Sequence, residues 1–212
     1  EVNPAALVAG LLCAIRRRDP GVAPGRVDYV VLGLVAPGGD QGSNIAKTAL
    51  LSAGYPDTVA GVQLNRFCAS GLEAVNQAAA RVRSGFADLI LAGGVESLSR
   101  LPMASDGGAW AMDPATAFAT DFVPQGIGAD LIATIEGFSR TDVDHFAAES
   151  HARASDAWAN GHFARSLIPV EHPKGPTEMD RATPRSPATQ VEPPDAGPAP
   201  AAGTALGGGG AA

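Results

Sequence analysis

Two short apolar runs, residues 58–64 and 88–94, bracket a segment of helical period from 69 to 84, and that order constrains the fold more than any other feature of the chain. In the bracketed helix Leu72, Val75, Ala79 and Val82 recur at helical spacing, and Gly85 supplies the stop. Strands joined through one helix by short turns run parallel, and the crossover is right-handed. The turn over 65–68 therefore belongs at the carboxyl edge of a parallel sheet, where open α/β folds bind ligands. Upstream the alternation continues. A helix over 4–18 has Asn3 as its cap, Pro4 in its first turn and Asp19-Pro20-Gly21 at its end. A strand over 27–35 follows, then a helix over 43–53 with Ser43 as cap and Gly54 as stop. The expected fold class is α/β, a parallel or mixed sheet with helices layered on its faces. The sequence contains no internal repeat.

Cys68 lies where the second strand gives way to the helix, with Asn65-Arg66-Phe67 as the turn and Ser70-Gly71 as a tight helix entry. The N–H groups and positive dipole end of a helix favour a thiolate there, and the thiolate is the form that attacks carbonyl carbon. Acyl transfer is the first functional expectation. The alternative is an inert buried thiol, since free cysteine packs as a small hydrophobe; the flanking pattern favours the nucleophile. Cys13 reads the other way. It sits inside an apolar helix with Leu7, Val8, Leu11, Leu12 and Ile15 and is assigned to packing.

The run Asn65-Arg66-Phe67-Cys68-Ala69-Ser70-Gly71-Leu72-Glu73-Ala74, followed by Leu91-Ala92-Gly93-Gly94-Val95-Glu96-Ser97-Leu98-Ser99, resembles the nucleophile region of the thiolases. The likeness extends through Gly126-Ile127-Gly128-Ala129-Asp130, a helix over 141–160, and the stretch from Gly161-His162-Phe163 to Ile168-Pro169-Val170, covering about residues 5 to 172. Ketoacyl synthases share the cysteine ahead of a helix and the Ala-Gly-Gly strand end, but residues 99–170 resemble thiolases better. The resemblance implies the N-terminal half of a layered thiolase-like fold. On this reading residues 1–100 are the α/β core lacking the family's first strand, 101–173 a mainly helical loop domain, and 174–212 a Pro/Ala/Gly-rich tail.

What the resemblance implies for chemistry is concrete. Cys68 would attack the thioester or 3-keto carbonyl of an acyl-CoA, hold the acyl group as a thioester, and pass it on. Coenzyme A as acceptor gives thiolysis of a 3-ketoacyl-CoA, as in fatty-acid β-oxidation; an acetyl-CoA carbanion gives the reverse Claisen condensation. Coenzyme A and acyl-CoA are then substrates, with no permanently bound cofactor and no metal, and an intact family member is a homodimer or homotetramer. The loop domain would close over the nucleophile, with Met103 as a candidate contact near the acyl-CoA entrance.

The family's remaining catalytic groups have no counterpart here by motif. They are a histidine in an Asn-Glu-Ala-Phe-like segment, a histidine in a Gly-His-Pro segment, and a second cysteine in a Cys-x-Gly-Gly-like loop. The chain's histidines are His145, His151, His162 and His172, and its other cysteine is Cys13. His145 and His151 stand six apart on one helix, on different faces, and read as surface residues rather than a metal clip. Missing acid/base partners each remove ~10²–10⁴-fold in rate, so weak or no turnover is expected of this chain alone. The motif likeness stops near Lys174, which suggests a broken reading frame; the encoding DNA, read for a shifted frame with Gly-His-Pro and Cys-Gly-Gly segments, tests that. A non-catalytic fragment and a ketoacyl synthase acting on carrier thioesters are the other classes.

From 101 to 124 the composition shifts to Gly, Ala, Asp and Met, the expected start of the insertion. A helix over 126–136 follows, then a capped helix from Thr141 with Asp144 at the box position. Val143, Phe146, Ala147, Ser150, Ala154, Ala157 and Trp158 form that helix's expected buried stripe. The tail after 174 has no aromatic residue, cannot offset the entropy of ordering, and is expected to be disordered. A net charge of −7, from 22 acidic and 15 basic residues, argues against a nucleic-acid partner. Arg16-Arg17-Arg18 complements a helix dipole. Pro37-Gly38-Gly39 lacks the Gly-Lys-Ser/Thr of a phosphate loop and reads as a turn. Two unrelated cysteines fit a reducing compartment, and without a spanning segment or signal peptide the expected location is the cytoplasm, with no membrane partner.

Overall fold

The computed structural model describes residues 2–172 and 175–176. They fall into two compact units. One holds the chain up to Phe138 together with the described residues from Ser166 on, and the other holds Ser139–Arg165.

The first unit is built on three parallel strands, β1 (Tyr29–Gly33), β2 (Ala60–Leu64) and β3 (Ile90–Gly94), in the order β2-β1-β3. Their register aligns Gly33 with Leu64 on one side and with Gly94 on the other, so all three chains leave the sheet at one level. Side chains alternate across a strand, and β1 uses both faces. Val30, Leu32 and Leu34 enter a core with Val8 and Leu12 of α1 (Pro4–Arg18) and Ile45, Ala46, Ala49 and Leu50 of α2 (Ile45–Ser52). Gly33 faces the opposite way, against the start of α3 (Ser70–Arg83). The result is two helices on one face and one on the other.

The sequence signals act as expected at several ends. Asn3 accepts the Ala5 N–H, Pro4 opens α1, and Gly54 and Gly85, at φ +73° and +74°, follow α2 and α3. One reading needs correction. The cap of α2 is Asn44, not Ser43. Asn44 sits at φ +59°, accepts the Lys47 N–H, and donates its own amide to the Gly61 carbonyl, which pins the helix to β2. In α3 the apolar stripe of Leu72, Val75 and Val82 does not face the sheet. Ser70, Ala74 and Ala78 are buried, while Leu72, Val75 and Val82 are exposed, Leu72 by 65%. Small residues occupy the sheet face because the backbones approach closely there, and the large apolar ones look outward.

Beyond β3 the first unit carries α4 (Ala109–Met112), α5 (Pro114–Ala119) and α6 (Gln125–Glu136), so the compact unit continues past residue 100. In the second unit α7 (Arg140–Ala159) starts one residue before Thr141. Its capping box pairs Ser139 with Asp142; Asp144 forms an i,i+4 ion pair with Arg140. The stripe expected to be buried is open, with Phe146 77% exposed, and Trp158 packs on Phe163 at 5.2 Å. A short antiparallel pair, β4 (Glu171–His172) and β5 (Gly175–Pro176), closes the described chain. The expectation for the tail lies outside the described residues. No helix among the described residues is long and apolar enough to cross a membrane.

Candidate active site

Cys68 is a free, exposed thiol between the end of β2 and the first turn of α3. The turn that carries it is fixed by its own side chains. Asn65 Oδ1 accepts the Phe67 N–H at 2.8 Å, and Ser70 Oγ both accepts the Arg66 N–H at 2.8 Å and donates to the Phe67 carbonyl at 2.6 Å. An Asn three residues ahead and a Ser two residues behind thus satisfy the Arg66 and Phe67 N–H groups of the turn. Arg66 also pairs with Glu73 on the first turn of α3. Glu73 is held below the usual carboxylate range, first by the Gln77 amide and then by Arg66.

The three loops at the carboxyl edge are stitched together. Asn65 donates its amide to the Val35 carbonyl at 3.1 Å, tying the Cys68 turn to the loop after β1. That loop is held from the other side by Glu96, whose carboxylate accepts the Val35 N–H at 2.6 Å and the Ala36 N–H at 3.4 Å. Gln41 completes the arrangement. Its side chain, 0% exposed, donates to the Ala36 carbonyl and to Glu96 and accepts the Ser97 N–H at 2.6 Å. A buried amide with its donors and acceptor all engaged makes a rigid cross-link, because each broken bond would strand a desolvated polar group.

Close packing sets the level of the turn. A Cβ at Gly33 would stand 2.3 Å from the Ser70 carbonyl carbon, and one at Gly94 2.9 Å from the Gly33 oxygen. Glycine at these two positions lets the start of α3 rest directly on the strand ends. Of the Ala-Gly-Gly strand end, Gly94 is therefore a packing requirement, while a Cβ at Gly93 would meet only Leu32 at 4.0 Å.

The other expected residues are dispersed. Met103 is 81% exposed in the turn after Leu101. His145, His151 and His162 belong to the second unit, and His172 to β4. Among the described residues no group of three His, Cys, Asp or Glu side chains is arranged to hold a metal ion. Cys13 packs against the core, its sulfur 3.9 Å from the Ala53 carbonyl, and lines a cavity of about 510 Å³ between α1 and Ile168-Pro169-Val170. That cavity is remote from the Cys68 turn in its lining. Sequence reasoning quoted Glu96 without a role and passed over Gln41 and Trp110. Trp110 packs on Phe67 beside the thiol at 5.3 Å between ring centroids.

The family model for the thiolase N-terminal domain matches residues 2–194, continuing beyond Lys174, where the motif likeness ends. A 3-ketoacyl-CoA thiolase of Pseudoalteromonas translucida is 36% identical over 165 residues, covering 78% of this chain and 42% of that protein. A β-ketoadipyl-CoA thiolase of Pseudomonas knackmussii is 37% identical over 199 residues, covering 84% and 49%. The corresponding protein of Pseudomonas putida is 36% identical over 206 residues, covering 88% and 51%. The chain spans about half the length of these relatives. With a cysteine ahead of a helix at the carboxyl edge of a parallel sheet, and a match over most of its length, the chain belongs to the thiolase family, in the region of its N-terminal domain.

Proposed function

We propose that Cys68 is the acyl-accepting nucleophile of a thiolase-type acyltransferase acting on CoA thioesters. The observation that carries this reading is the exposed thiol one residue past a side-chain-locked turn, at the edge where three parallel strands end together. In the step, Cys68 Sγ bonds the thioester carbonyl carbon, the oxyanion collapses, and the CoA thiolate leaves with the electron pair of the broken C–S bond. With a 3-ketoacyl-CoA the attack falls on the keto carbon, the C2–C3 bond breaks, and the departing acetyl-CoA carbanion takes up a proton. Either acyl-enzyme is discharged by a second nucleophile, coenzyme A or an acetyl-CoA carbanion. Names of relatives that act on 3-ketoacyl-CoA and β-ketoadipyl-CoA support the CoA-ester class.

The expected outcome is acylation without efficient turnover. Attack needs the Cys68 thiolate, whose proton passes to solvent and then to the departing CoA thiolate, whereas proton transfer to and from the substrate carbon needs acid/base groups, and no histidine of this chain matches the family's motifs for them. Incubation with acetyl-CoA and, separately, with an acetylated carrier-protein thioester, followed by peptide mass analysis, tests the reading. Acetyl on Cys68 from the CoA ester supports it. Label from the carrier ester alone supports a ketoacyl-synthase-like site, and an unlabelled, folded chain supports a non-catalytic fragment. In the cell the family reading carries with it a cytoplasmic location and a dimeric or tetrameric assembly.

A further inference from the structure

Phe67, the residue immediately before Cys68, has φ +49°, in the left-handed region that bulky side chains rarely enter. Glycine occupies that region freely, yet this turn uses phenylalanine. Three contacts hold it. Its N–H goes to Asn65, its carbonyl accepts from the Ser70 hydroxyl and the Ser70 N–H, and its ring packs on Trp110 at 5.3 Å and 50°. Trp110 in turn meets Phe122 edge-on at 4.9 Å.

The first two contacts are backbone bonds that a turn can make with any residue at 67. The ring contact is different, because it requires an aromatic side chain and comes from α4, far along the chain. A four-residue helix does not hold itself together, so the Phe67–Trp110–Phe122 ring cluster also seats α4 against the turn. The rings remain partly open, Phe67 by 56% and Trp110 by 46%. They are not core, and removing one leaves no sealed cavity.

We propose that Trp110 is a positioning residue for the Cys68 nucleophile: packed at a tilt against Phe67 and backed edge-on by Phe122, it holds the turn in its left-handed conformation and so fixes the direction of the adjacent sulfur. The proposal deepens the acyl-transfer reading and rests on it. If Phe67 relaxed to negative φ, the peptide plane leading to Cys68 would rotate, and the thiol would leave the strand-end level set by Gly33.

The test follows two rates on Cys68 in the full chain, alkylation by iodoacetamide and acylation by acetyl-CoA, with peptide mass separating Cys68 from Cys13. Trp110→Ala is expected to slow both by about tenfold or more, and Trp110→Phe to stay within about threefold of wild type, in keeping with the cost of small displacements of a reacting atom. Phe67→Gly supplies the decisive background. Glycine takes positive φ unaided, so adding Trp110→Ala to it is expected to change neither rate. Wild-type rates in Trp110→Ala, or an equal slowing of Phe67→Gly by Trp110→Ala, would overturn the proposal. A wild-type chain that is alkylated but never acylated would instead sink the acyl-transfer reading, and the iodoacetamide series would still decide the role of Trp110.

Discussion

Gly33 touches the backbone of Ser70 so closely that a methyl group on its α-carbon would lie 2.4 Å from the Ser70 carbonyl oxygen. The end of β1 is thus the floor on which α3 begins, two residues beyond Cys68. The atoms in the way are backbone and cannot swing aside as a flexible side chain would. Gly33→Ala is expected to cost about 1–3 kcal/mol or more in urea unfolding, the range for overpacking a tight contact, and to slow Cys68 acylation. Wild-type stability together with a wild-type rate would show that the two elements are not pressed together.

Gln41 links the loop after β1 to the loop after β3 from a fully buried position. Gln41→Leu keeps roughly the same volume but leaves the Ser97 N–H and the Ala36 carbonyl without their side-chain partner. A loss of about 1–3 kcal/mol is expected from stranding such buried groups. Amide hydrogen exchange at Ser97 should accelerate in the variant, and unchanged protection there would count against the cross-link.

The two sides of α3 should respond in opposite ways. Ala74 is 0% exposed against the sheet, and Ala74→Leu is expected to destabilise by about 1–3 kcal/mol through overpacking. Leu72 projects outward, and Leu72→Gln is expected to stay within about 0.5 kcal/mol, the usual span for a surface change. Thermal unfolding of both variants checks the assignment; a large loss from Leu72→Gln would mean that the outer face is covered in solution.

Asp28 should shape the acid limb of stability. Its carboxylate accepts the Asp88 N–H at 2.7 Å and the Leu89 N–H at 3.1 Å, and those bonds, Leu89 first, hold its carboxyl below the ordinary range. A carboxyl harder to protonate when folded stabilises fully above its unfolded pKa, and that contribution is lost as pH falls through the folded value. Asp28→Asn is therefore expected to flatten the decline of stability on acidification while leaving the slope near neutral pH unchanged. An identical acid limb in both proteins would remove Asp28 from the account.

Local signals carried the sheet, its three flanking helices and α6 well, whereas α4 and α5 lie in the stretch 101–124, which reads only as the start of an insertion. Helix α1 follows Asn3, Pro4 and Asp19 residue for residue, and the strand runs around Val30, Val62 and Leu91 locate the sheet. Faces were harder to read, for a physical reason. Apolar periodicity marks the side of a helix able to bury surface, but not whether a partner stands there. In α3 the sheet takes the small residues Ala74 and Ala78, and in α7 Phe146 stays open. Asn44 displaced Ser43 as cap because its amide also reaches Gly61, a long-range bond that adjacent residues do not reveal. At the site, Cys68 and Asn65 were legible from one run of sequence. Gln41, Glu96 and Trp110 act through contacts with distant segments, and nothing in their own neighbourhoods announces it.

The most direct test of the central claim is the intact mass of wild type and Cys68→Ala after incubation with acetyl-CoA. The account expects one acetyl group on the wild-type chain, localised to the Cys68 peptide, and none on Cys68→Ala. Equal labelling of the two chains, or a folded wild type that stays unlabelled, would contradict it.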